Sequence, residues 1–208
     1  MRIGILGSGA IGSTLARLWT TAGHEIAMAN SRGPESLAEL VASIGPLCHA
    51  MTVDEAAAFG EIVVLAVPFR RPEALPRPDI VKGKVVVDAM NPYAEEGGLL
   101  DLGGKTSSAV TAERLPGARL VKAFNTMHWE TLGTAGRPYV PEAQRLCIFL
   151  AGDDHRAKDR VAQLIREIGF APVDTGSLAM GGRLQEPGSK IYDRPLLPAE
   201  ARPLLAGM

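Results

Sequence analysis

Near the start of the chain, Gly7-Ser8-Gly9-Ala10-Ile11-Gly12 places three glycines at the spacing of a dinucleotide fingerprint. The chemistry of such a loop is the binding of a pyrophosphate. Gly7 permits a tight turn, Gly9 lets the backbone approach the phosphates, and Gly12 has no side chain to hold the next helix off the preceding strand. The free N–H groups and positive dipole end of that helix then face the anion. At the end of the next apolar run stands Asn30-Ser31-Arg32, with no acid before Glu35. An NAD site commonly offers Asp or Glu there, about 20 residues beyond the glycines, to the ribose 2′-hydroxyl. Arg32 instead suits a planar two-pronged grip on a 2′-phosphate, and Ser31 adds a hydroxyl and a backbone N–H. A solvated turn would use the same residue types; joined to the fingerprint, they predict NADP(H) as the cofactor.

Three further segments end at the same predicted sheet edge: Ala66-Val67-Pro68, Ala89-Met90-Asn91-Pro92 and Ala123-Phe124-Asn125-Thr126. Ligands of doubly wound sheets bind beyond the carboxyl ends of the strands. Pro68 and Pro92 set the exit angles of two loops that can wall a nicotinamide, with Asn91 or Asn125 matching its carboxamide. Single strand terminators would look the same. Just beyond lie Thr126, Met127, His128 and Trp129, expected at the substrate. His128 can titrate near neutrality and protonate a substrate, although a surface or structural histidine is the plainer reading. His24, His49 and His155 suggest no site. No paired carboxylates, Ser-His-Asp set or metal-ligand spacing is present, so no catalytic side chain and no metal are assigned. A reaction that moves only a hydride between aligned planar rings needs positioning more than proton chemistry.

The elements that must hold these residues follow from apolar periodicity. "MRIGIL" reads as a first strand, and Ile11, Leu15, Leu18 and Trp19 form one face of a helix over residues 10–22. "HEIAMAN", "LCHAM", "EIVVLAVP", "KVVVDAMNP", "GARLVKAFN" and "RLCIFLAGD" read as further strands. Pro34 opens a helix running to Gly45, Thr52 and Glu55 form a capping box for "TVDEAAAF", and residues 155–168 form another helix. "RRPEALPRPDI" is a loop or broken helix. The expected fold is a Rossmann-type, doubly wound α/β sheet of about seven or eight mostly parallel strands. Residues 1–208 form one domain, with 176–208 as a loop-rich C-terminal extension.

With 22 Lys+Arg against 23 Asp+Glu, the chain has a formal net charge of −1. That gives no general field for nucleic acid or an anionic membrane. No apolar run nears the ~18 residues of a membrane span, and Arg2 precedes only a short strand, unlike a secretory signal. Cys48 and Cys147 sit in apolar segments and read as buried reduced thiols, which fits a cytoplasmic location. The tail residues Ile191, Tyr192, Leu196, Leu197, Leu204 and Leu205 lack a local helix long enough to bury them all, which predicts a homodimer.

Over roughly residues 1–187 the chain resembles the deazaflavin (coenzyme F-420)-dependent NADP oxidoreductases. The likeness rests on "GILGSGAIGSTLARLWTTAGHEIAMANSR", "VVLAVP", "VVVDAMNP", "LPGARLVKAFNT", "FLAGDD", "EIGFAPVDTGSL" and "RLQEP". It implies one Rossmann domain whose small C-terminal part helps cover the cofactor, and a dimer. By position, Ser31 and Arg32 match the 2′-phosphate pair, Ser8 to Gly12 the pyrophosphate loop, and Ala66 to Pro68 with Ala123 the NADP groove. Similar domains act as flavin reductases in six-transmembrane metalloreductases. "MHWETLGTAGRPYV" would place Met127, His128 and Trp129 at the second ring, while the Pro-rich tail departs from the family pattern. The leading expectation is hydride transfer between NADP(H) and a flavin-like acceptor, with coenzyme F-420, FMN or FAD as second substrate. A reductase of a small carbonyl or imine, with His128 or Lys122 as proton donor, is the alternative; an NADP-binding sensor without catalysis is another.

Overall fold

The computed structural model describes residues 1–206. Eight strands form a single sheet: β1 (Arg2–Leu6), β2 (Glu25–Ala29), β3 (Cys48–Ala50), β4 (Ile62–Leu65), β5 (Val85–Asp88), β6 (Arg119–Ala123), β7 (Cys147–Gly152) and β8 (Ala171–Asp174). Their order is β3-β2-β1-β4-β5-β6-β7-β8. All neighbours are parallel except β6 and β7. The chain therefore starts in the middle, winds outward to β3, and returns to the other side of β1 at β4. That reversal opens the crevice in which such sheets bind ligands. Strands β4, β5 and β7 are buried along their full length, because helices cover both faces.

Nine helices accompany the strands among the described residues: α1 (Ala10–Thr21), α2 (Ala38–Ile44), α3 (Val53–Phe59), α4 (Pro78–Val81), α5 (Ser107–Arg114), α6 (Trp129–Thr134), α7 (His155–Glu167), α8 (Gly181–Leu184) and α9 (Pro198–Ala206). A 3-10 turn at Pro34–Leu37 leads into α2. The Thr52–Glu55 capping box starts α3 as its residues require. The broken "RRPEALPRPDI" segment holds a 3-10 turn and the single turn of α4. Trp19 ties α1 to α7: its indole N–H donates to the Leu164 carbonyl at 3.3 Å, and its ring meets Phe124 edge-on with centroids 5.6 Å apart. Cys48 and Cys147 are both buried and unbridged.

Within the loop-rich residues 176–206, α8 and α9 form, with Pro198 at the start of α9, where its missing N–H costs nothing. The tail's apolar side chains also find partners at home. Ile191, Leu196 and Ala201 pack with Cys147 and Phe149 in a third small core, with Leu204 and Leu205 against it. Ile191 and Leu196 are buried there, while Leu197, Leu204 and Leu205 stay half-buried.

Candidate functional site

At the carboxyl edge of the sheet lie two adjoining cavities. The larger is a groove of about 950 Å³ running from the glycine loop past the ends of β2, β4 and β5. The smaller, about 300 Å³, lies beyond the ends of β5 and β6 and is backed by the C-terminal segment. Ile11, Ala89, Asn91 and Tyr93 line both, so they form the shared wall.

The glycine loop forms the head of the groove. Gly7 adopts φ +118°, and a Cβ there would lie 2.2 Å from the Ala66 carbonyl oxygen. Gly12 lies underneath, where a Cβ would lie 2.0 Å from the Gly7 carbonyl oxygen. A Cβ on Gly9 would meet no atom within 4 Å; it would stand in the open groove, in the space a pyrophosphate needs. Gly9 is also the N-cap of the twelve-residue α1, with no side-chain cap and no acid in the first turn. The orphan N–H groups and the dipole are thus left for an anionic group. Ser8, Ala10 and Ile11 line the groove beside it.

Ser31 and Arg32 line the groove at the end of β2. Among the described residues no carboxylate pairs with Arg32. Asn30 works differently from a direct ligand. Its Oδ1 accepts the Arg32 backbone N–H at 2.8 Å, and its Nδ2 donates to Ser8 Oγ at 3.2 Å and Ser36 Oγ at 2.9 Å. Asn30 therefore ties the phosphate loop to the turn that presents Arg32. Across the groove, Ala66, Val67 and Pro68 lead into Phe69, Arg70 and Arg71. Arg70 and Arg71 were not singled out from the sequence, although "FRR" directly after a strand-ending proline was the available signal. Arg70 lies 3.8 Å from Glu95, and Arg71 lies 3.8 Å from Glu73. With Arg32, three guanidinium groups face the groove against one carboxylate, Glu73. The arrangement fits a dinucleotide carrying an additional 2′-phosphate.

Asn125, Thr126, Met127, His128 and Trp129 all line the smaller cavity. Phe124 turns the chain there with φ +65°, a left-handed conformation rare for a bulky side chain and commonest where a site over-determines the backbone. His128 sits at the rim, its side chain half exposed and its Nδ1 3.6 Å from Glu130 Oε2. Asn91 and Asn125 are bound to each other: Asn125 Nδ2 donates to Asn91 Oδ1 at 3.0 Å and to the Gln185 carbonyl at 2.7 Å. Asn91 Nδ2 donates to the Asn125 carbonyl at 3.0 Å and to the Tyr192 hydroxyl at 3.1 Å. Their amide N–H groups brace the strand ends, while Asn125 Oδ1 is buried with no hydrogen-bond partner among the described residues.

Three of the expected cofactor residues lie off the cavities. Gly12, Pro92 and Ala123 line neither cavity. Gly12 acts from beneath the loop, the Pro92 carbonyl accepts the Leu100 N–H at 2.8 Å, and Ala123 is fully buried in the core. Lys122 is removed as a proton donor for the same reason. Its Nζ is fully buried, donating to the Met90 carbonyl at 2.5 Å and Ser107 Oγ at 3.2 Å, and lies 3.5 Å from Asp88 Oδ2. Asp88 in turn accepts the Met90 N–H at 3.0 Å and the Ser108 hydroxyl at 3.1 Å. The pair works from behind: it holds both backbone polar groups of Met90, in the stretch that forms the shared wall.

Comparison with known proteins bears on the family and the fold. The sequence profile of the family described as "NADP oxidoreductase coenzyme F420-dependent" matches residues 2–92. A hypothetical protein of Sinorhizobium meliloti of solved structure is 36% identical, with 95% of each chain covered and a TM-score of 0.81. Metalloreductase STEAP3 of Rattus norvegicus is 32% identical over 180 residues. That match takes in 86% of this chain but 34% of the rat protein, so the chain spans about a third of that relative's length. A provisionally assigned F420-dependent NADP-reductase from Arthrobacter sp. FB24 shares the fold, with a TM-score of 0.75 at 24% identity and 94% and 99% coverage. No helix among the described residues is long and apolar enough to cross a membrane.

Proposed function

The chain belongs to the coenzyme F420-dependent NADP oxidoreductases, and from that premise we propose that it passes a hydride between NADP(H) and a flat, conjugated acceptor of the deazaflavin or flavin type. The observation that carries this reading is the wall of Ile11, Ala89, Asn91 and Tyr93 common to both cavities. A dinucleotide with its pyrophosphate on α1 and its 2′-phosphate at Arg32 has its nicotinamide end at that wall, with room for a second ring beyond it. Bound NADPH supplies the hydride from its nicotinamide. The protein's part is to place two rings together in a space of ring size. The smaller cavity is at the lower end of the range for small-molecule sites, which suits a ring system with its substituents outside. The one imidazole of the lining, His128, sits at the exposed rim. That favours an acceptor which needs no protein proton at the moment of transfer.

Stopped-flow mixing of the NADPH-loaded protein with coenzyme F-420, FMN and FAD tests the proposal. NADPH oxidation with at least one of them is expected; no oxidation with any of the three sinks it. Arg32→Ala is expected to weaken NADPH binding by about 1.5–3 kcal/mol, the value of a charge-assisted contact, and to leave NADH binding unchanged. Equal losses for the two nucleotides in a titration would show that Arg32 does not read the 2′-phosphate. We also propose a cytoplasmic homodimer, a reading supported by the buried thiols and the family resemblance rather than by the tail's apolar residues.

A further inference from the structure

The C-terminal segment does more than close the small cavity. It is bonded to the end of β6 at two points, where Asn125 Nδ2 donates to the Gln185 carbonyl at 2.7 Å and the Asp193 N–H donates to the Thr126 carbonyl at 2.9 Å. Asp193 has φ +52°, so the chain bends sharply beside it. Between these ties the segment carries Tyr192 into the cavity, with its hydroxyl 2.8 Å from that of Tyr93.

We propose that Tyr192 is a specificity-determining residue of the acceptor site, its hydroxyl pair with Tyr93 supplying one unspent O–H to a carbonyl oxygen of an uncharged conjugated ring. The inference rests on the preceding reading of the cavity as the acceptor site. The argument is a count of hydrogens. The Tyr192 oxygen already accepts from Asn91 Nδ2, and the two hydroxyls share one of their two protons. Whichever donates to the other, one O–H remains unspent, at the edge of the shared wall. The Asn91 and Asn125 amide N–H groups are spent on each other, on the backbone and on the Tyr192 oxygen, so the tyrosine pair is the hydroxyl donor next to Asn91, with the Thr126 hydroxyl elsewhere in the lining.

Charge narrows the ligand further. No Lys or Arg is among the residues lining the small cavity, while Asp193 is. An acceptor with a carboxylate at its reacting end would find no Lys or Arg to pair with it. A neutral ring carbonyl needs only a hydrogen-bond donor. Burial, followed by the Tyr93 contact, pushes the Tyr192 hydroxyl well above the ordinary tyrosine range, so Tyr192 keeps its proton at any working pH. In the transfer, NADPH gives up one hydride, two electrons with one hydrogen, and becomes NADP⁺. The acceptor ring gains that hydrogen and the electron pair. The tyrosine pair loses nothing; its unspent O–H hydrogen-bonds to the carbonyl on which negative charge develops, and any further proton comes from water.

Tyr192→Phe removes the hydroxyl and keeps the ring. With NADP⁺-loaded protein and riboflavin as probe, equilibrium titration is expected to show roughly 5- to 10-fold weaker binding by the variant, the value of about one hydrogen bond. NADP⁺ affinity should be unchanged, and pyruvate should not displace the riboflavin. Equal riboflavin binding by wild type and variant overturns the proposal, as does a matching loss of NADP⁺ affinity, which would mean a merely structural role. Riboflavin displacement by pyruvate overturns the charge argument. Failure of wild type to bind riboflavin at all overturns this proposal, whereas the reading beneath it falls only if coenzyme F-420, FMN and FAD all fail to oxidise NADPH. Weakened riboflavin binding without NADPH oxidation by any ring acceptor would leave Tyr192 in its role and remove hydride transfer alone.

Discussion

Gly12→Ala is expected to cost about 1–3 kcal/mol of stability and to reduce NADPH affinity by about 10²-fold. Elsewhere in a helix the same change would be favourable by about 1 kcal/mol, because alanine is the better helix former. Here the added Cβ lies 2.0 Å from the Gly7 carbonyl oxygen and 3.4 Å from Ile5 Cγ2. The first of these is backbone and cannot rotate aside. Relief requires α1 to move off β1, which shifts the N–H groups that meet the phosphates. Gly9→Ala is the control, since its Cβ meets nothing within 4 Å. That variant should melt like wild type while binding NADPH more weakly, because the methyl stands in the groove. Urea unfolding together with a binding titration separates the two effects. Wild-type stability and affinity in Gly12→Ala would mean that α1 is not set by this contact.

The second large effect concerns Lys122. Lys122→Met is expected to lose about 3–5 kcal/mol, because it leaves the fully buried Asp88 without its cation. Adding Asp88→Asn removes the orphaned charge and keeps an acceptor for the Met90 N–H, so the double variant should regain much of that stability. Buried ion pairs replaced together often prove neutral for folding, whereas a broken one does not. What the double variant still lacks is the Lys122 bond to the Met90 carbonyl. Its NADPH affinity should therefore stay below wild type after stability has recovered. Single and double variants of equal stability in urea would show that Asp88 is not left as an orphaned charge in Lys122→Met.

Sequence periodicity misses this network for a physical reason. The inward-facing residues of α5 are Ser107, Ser108 and Thr111, which read as a solvated surface in any hydropathy pattern. They are buried because Ser107 and Ser108 satisfy Lys122 and Asp88. A polar inner face is legible only once its partners, on two other strands, are known. The antiparallel entry of β7 is hidden for a related reason: a buried strand has the same composition in either direction. Tyr192 was legible only as an apolar tail residue, since its hydroxyl partners stand 99 and 101 positions away in the chain.

The sequence by itself determined the phosphate loop, the turn that presents Arg32, the doubly wound order of elements and the family. Each of these is written in a contiguous stretch, where local geometry and short-range spacing carry the chemistry. The tertiary structure alone decided which strand-end residues face a ligand and which face the core. It bound Asn30, Asn91 and Asn125 into hydrogen-bond networks within the cavity walls, withdrew Lys122 and Ala123 from the surface, and brought Arg70, Arg71 and Tyr192 to the cavities. Those outcomes depend on contacts between residues far apart in sequence, and no local pattern encodes which of two polar groups will be spent on the other.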